Sequence, residues 1–117
     1  MTKAEAMTLP SVMRKYTCPC CGYPELECPA YSLALQPPFP RNTSPPYYQY
    51  LGEPSYDVCP CCGFEFGNED EPGTAPSKSF EEYREEWIRG GCRWFDHSKK
   101  PTGWNLDAQL KMAGILD

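Results

Sequence analysis

Lys15-Tyr-Thr-Cys-Pro-Cys-Cys-Gly-Tyr23 and Tyr56-Asp-Val-Cys-Pro-Cys-Cys-Gly-Phe64 contain the same five-residue word, Cys18 to Gly22 and Cys59 to Gly63, each followed by an aromatic residue. The outer cysteines of each word, Cys18 with Cys21 and Cys59 with Cys62, form two C-x2-C pairs. At that spacing four thiolates can close around one tetrahedral ion. Pro19 and Pro60 preset one dihedral of a tight turn, and Gly22 and Gly63 permit the positive φ needed where the chain doubles back. Backbone amides of such a turn can hydrogen-bond the sulfurs and offset their negative charge. The spacing therefore predicts one mononuclear site with Cys18, Cys21, Cys59 and Cys62 as ligands.

Cys20 and Cys61 stand between the ligands and are expected to face away from the ion as spectators. The word alone leaves open that either replaces a neighbour, or that Cys28 and Cys92 join a second thiolate-bound ion or cluster. Taken singly, Cys28 and Cys92 read as small buried apolar residues or inert thiols. His97, the only histidine, reads as solvated, because no second cysteine pair stands near it.

Composition makes an ion physically useful. Leu, Ile, Val and Phe account for 17 of the 117 residues, about 15%, which is under the roughly 20% below which a strongly charged chain reads as disordered, so an ordinary aliphatic core is not expected. Aromatics at 14% and 8 cysteines must supply the cohesion instead. Four thiolates on a divalent ion release about 10 to 16 kcal/mol in small zinc modules, as much as the whole stability of a domain. No stretch approaches the roughly 18 apolar residues of a membrane span, and Met1 to Met13 lack the apolar run of a signal peptide. The expected compartment is cytoplasmic, where thiols stay reduced and dense cysteines point to metal in preference to disulfides.

Along the chain, residues 1–14 are expected to form a flexible leader and 15–117 a single cysteine-rich domain. Ten prolines between Tyr16 and Gly67 exclude long helices there, and Gln36 to Pro46 reads as an extended surface loop. After Gly73 the pattern changes. Ser79 with Glu82 forms a capping box, acidic residues fill the first turn and Gly90 closes a predicted helix over about 80–89. Phe80, Tyr83 and Trp87 share the face expected to lie on the core. A second helix over about 106–113 follows Asn105, carries Leu106, Leu110 and Ala113, and stops at Gly114. Asn68-Glu-Asp-Glu71 reads as a solvated charge run. Tyr47, Tyr48 and Tyr50 read as cover for a small core, with a contact patch as the alternative.

The two words with their flanks look like the knuckles of rubredoxins and zinc ribbons. The chain from about Tyr16 onward also resembles a family of small bacterial cysteine-rich proteins named for the Cys-Pro-Cys-Cys word, through those words and through Phe80 to Phe95 and Gly103 to Leu110. The resemblance implies a metal-binding protein, supports Cys18, Cys21, Cys59 and Cys62 as ligands, and names no reaction. The expected fold is a small metal-stabilised α+β unit: a rubredoxin-like zinc ribbon, its knuckles on short β-hairpins, with a C-terminal pair of helices and Trp87, Trp94 and Trp104 covering the sheet.

Function is expected to be non-catalytic, since no Ser-His-Asp set, phosphate-cradling loop or paired carboxylates stand out. The expected cofactor is one zinc ion closed by four thiolates, and the expected role is binding another protein. Residues 51–117 carry 7 basic against 13 acidic residues, a balance that repels phosphate. A modest basic patch around Arg14, Lys15 and Arg41 keeps a nucleic-acid-binding reading as an alternative. The same sulfurs could hold iron and make the chain an electron carrier, although the long proline-rich stretch departs from rubredoxin. Thiol redox catalysis is disfavoured because Gly22-Tyr-Pro24 cannot readily open the helix such a motif requires.

Overall fold

Proline spacing decides what the first half can build. The computed structural model describes residues 15–33, 37, 39–41, 43–71 and 76–115; the expected leader lies outside them, as does part of the Gln36–Pro46 loop. Among the described residues there is no β-strand and no sheet, only isolated antiparallel bridges at Tyr16↔Leu26, Tyr31↔Pro54 and Val58↔Glu65. The expected rubredoxin-like zinc ribbon with β-hairpins is thereby overturned. A ladder needs a run of backbone donors in extended conformation. Pro24, Pro29 and Pro54 withdraw donors beside the bridges, while Tyr56 at φ 63° and Gly67 at φ 96° bend the flanks of the second word out of the extended region.

The described helices are α1 (Tyr48–Leu51), α2 (Phe80–Arg89) and α3 (Leu106–Met112), with a 3-10 turn at His97–Lys99. Helix α1, a single turn, was not expected from the sequence. Helix α2 begins as its residues dictate: Ser79 Oγ accepts from Glu82 N–H, and the Glu82 carboxylate accepts from Ser79 N–H. Its end falls at Gly90, as expected. Gly90 keeps an ordinary φ of −82°, and the left-handed position falls on Gly91 at φ 99°. Helix α3 starts at Asn105, whose side chain accepts from Ala108 N–H, and ends one residue early, with Ala113 as its cap. No described helix is long and apolar enough to cross a membrane.

Aromatic rings replace the missing aliphatic core. Tyr31, Tyr47, Phe64, Phe66 and Phe80 are fully buried, and Tyr47 lies flat on Phe80 with ring centroids 3.9 Å apart. The Tyr47 hydroxyl accepts the N–H of Phe80, one of the donors that the first turn of α2 leaves without a helical partner. Thus Tyr47 is core, whereas Tyr48 and Tyr50 are exposed. Phe80 and Trp87 are buried and Tyr83 packs against the core, as their spacing predicts. Trp104 meets Trp87 and Trp94 edge-on at 6.1 and 5.5 Å.

Asp70 corrects the reading of the acidic run. Its carboxylate is fully buried and accepts the backbone N–H groups of Tyr47 and Gly67. A buried carboxylate is tolerable only with such donors. Here it ties α1 to the loop after the second word. Burial, and after it the nearby Asp70 carboxylate, raises the Tyr31 hydroxyl well above the ordinary tyrosine range.

Candidate metal centre

Each word folds through the same local bonds. In the first, Cys18 N–H donates to Tyr23 O at 2.8 Å and Gly22 N–H to Cys18 O at 2.9 Å; in the second, Cys59 N–H donates to Phe64 O at 3.0 Å and Gly63 N–H to Cys59 O at 2.9 Å. Gly22 at φ 86° and Gly63 at φ 83° take the left-handed conformation that lets the chain reverse. The turn leaves the N–H of Cys20 against Cys18 Sγ at 3.3 Å, an amide placed to offset charge on that sulfur.

The two words face each other. The sulfurs of Cys18, Cys21, Cys59 and Cys62 all lie within 4.8 Å of one another, with Cys21 to Cys59 at 3.7 Å and Cys18 to Cys62 at 4.0 Å. A tetrahedron with metal–sulfur bonds of about 2.3 Å has sulfur–sulfur edges of about 3.8 Å. The arrangement fits one ion. All four residues are buried and none is in a disulfide. Among the described residues, no other group of three or more His, Cys, Asp or Glu donors gathers in this way.

Electrostatics agree with the geometry. Burial raises the Cys18 thiol to about 11 and lifts Cys21 and Cys62 well above the ordinary thiol range. At Cys59 burial acts in the same direction but is outweighed by hydrogen bonds from Cys18, Cys21 and Cys62, which favour its thiolate. Four adjacent buried negative charges cannot persist unaided. The cluster either keeps most of its protons or takes a cation in their place.

The remaining cysteines separate. Cys20 is fully buried and its thiol donates to Phe80 O at 3.6 Å. Cys61 is equally buried, and its sulfur accepts from Gln109 Nε2 at 3.6 Å. Neither belongs to the quartet. Cys28 is exposed and Cys92 half-buried, so the reading of Cys28 as a buried apolar residue fails. His97 is exposed at the start of the 3-10 turn.

Sequence reasoning missed the side chains that brace the words. Arg84 Nη1 donates to Cys20 O at 2.9 Å, and Gln109 Nε2 to Cys21 O at 2.9 Å. Backbone N–H groups of Phe95 and Asp96 donate to Cys61 O and Pro60 O. One signal for Gln109 was available: Leu106, Gln109, Leu110 and Ala113 follow the i, i+3, i+4, i+7 pattern of a single helix face, so a polar residue sits inside an apolar stripe.

The site thus places the chain among proteins with a buried four-cysteine cluster able to hold a metal ion. The chain is similar to an uncharacterised protein of Bacillus subtilis (strain 168), YoaQ, being 28% identical over 90 residues that cover 68% of this chain and 63% of that relative. The match therefore spans less than two thirds of the relative's length. No family model matches the chain, and no solved structure does.

Proposed function

We propose that the chain is a small zinc protein in which Cys18, Cys21, Cys59 and Cys62 hold one structural ion, and that its role is non-catalytic binding of another protein. The observation that carries the metal reading is the buried sulfur quartet at near-tetrahedral separations. When bound, zinc would neutralise thiolate charge and cross-link the two words; with four protein ligands no coordination position is left for water or substrate. That closed shell supports the non-catalytic reading. The acid-rich second half supports a protein partner over nucleic acid.

Elemental analysis of protein purified without added metal tests this. The expected result is one zinc per chain in a colourless protein. A coloured protein with one iron per chain would replace zinc by an electron-transfer centre. No bound metal at all would remove the proposal.

A further inference from the structure

Asp70 and Gln109 are the polar side chains buried among the described residues. Asp70 is occupied by turn amides, whereas Gln109 is directed at the cysteine words. Gln109 Oε1 accepts from Trp104 Nε1 at 2.8 Å, which fixes the end of the amide that faces the sulfurs. Its Nε2 then donates to Cys21 O at 2.9 Å and to Cys61 Sγ at 3.6 Å. An amide nitrogen has two protons, so both bonds can exist together. The two acceptors lie in different words, one on a quartet residue and one directly before another. Both bonds require the separation of the words that gathers the quartet.

Gly22 makes the approach feasible: a Cβ there would come within 3.1 Å of Gln109 O and 3.0 Å of Ala113 Cβ. Helix α3 has 7 residues, too few to persist by itself in water, so it is held by docking: by these contacts together with the burial of Leu110 and Ala113. We propose that Gln109 is a positioning residue that makes ion retention and the docking of α3, with Trp104, one coupled event. This rests on the tetrathiolate reading. Linkage is reciprocal: if the ion holds α3 in place, α3 holds the ion to the same extent.

The test uses the full chain loaded with Co2+, monitored through its thiolate charge-transfer and ligand-field bands, with transfer to excess chelator timed where every variant is fully folded. Gln109→Met keeps length and helix preference but removes both donors. It is expected to bind one Co2+ and release it about tenfold faster, and to lose the change in tryptophan emission that accompanies loading. Trp104→Phe, which frees the amide to turn, should accelerate release by about threefold, and the double variant should add little to Gln109→Met. A residue that only stabilised the fold would shift the denaturation midpoint and leave the release rate of folded protein unchanged. Wild-type release rates in Gln109→Met, or additive losses in the double variant, overturn the proposal. If Gln109→Met does not fold, an unaltered rate in Trp104→Phe overturns it. Wild-type protein that takes up no Co2+ overturns the tetrathiolate reading and this one together, whereas one Co2+ per chain with unaffected variants overturns this one alone.

Discussion

A serine at position 18 or 62 would keep the approximate shape of a cysteine while withdrawing the thiolate that a soft ion requires. Cys18→Ser and Cys62→Ser are therefore expected to lose the metal and the folded state, since about 10 to 16 kcal/mol of binding free energy goes with it. Cys20→Ser should cost within about 1 kcal/mol, because a hydroxyl can still donate to Phe80 O, where the Cys20 thiol now points. Metal stoichiometry and circular dichroism of the three variants check this; equal damage from all three would refute the ligand set. At this scale the sequence was informative where chemistry is local. The repeated word revealed which sulfurs could meet, and their gathering needed no knowledge of the rest of the chain. Asp70 was not legible in the same way. It stands in a run with Glu69 and Glu71, and only the tertiary placement of Tyr47 and Gly67 around its carboxylate distinguishes it from them.

Among the elements, α2 was the most legible because its start is written within four residues. Ser79→Ala removes the oxygen that accepts Glu82 N–H and is expected to destabilise the protein by about 1 kcal/mol. Denaturant titration of metal-loaded protein measures it, and a change under a few tenths would mean that tertiary contacts alone hold the helix start. Phe80 lends weight to that alternative, since its N–H is already held by the Tyr47 hydroxyl. The hairpins failed for the converse reason. Bridges do form beside both words, but whether a bridge extends into a strand depends on several consecutive residues; prolines remove donors beside the first, and left-handed Tyr56 and Gly67 bend the chain away beside the second. Helix α1 was hidden by the same prolines: its 4 residues carry no cap signal and owe their place to the burial of Tyr47 and Leu51.

For the molecule as a whole, the composition left a deficit of aliphatic packing that the structure meets with stacked and edge-on rings around buried cysteines. Among the described residues, buried aliphatics other than alanine reduce to Leu26, Leu51 and Leu110. A chelator strong enough to strip the quartet is expected to abolish cooperative thermal unfolding and the near-ultraviolet dichroism of the aromatic cluster. Restoring zinc should return both. Calorimetry with and without chelator decides it, and an unchanged transition in metal-free protein would show that the rings suffice alone.

Because each word is folded by bonds to its own neighbours, from Cys18 to Tyr23 and from Cys59 to Phe64, the ion has only to fasten together two clasps that are already shaped. The length of the tether between them has little influence on that fastening, since doubling a flexible tether costs only about 0.6 kcal/mol in closure entropy. That freedom is not uniform along the tether, since Tyr31, Tyr47 and Leu51 are core residues and Phe39 packs against them, so an added length keeps the clasps joined only where it leaves those side chains seated.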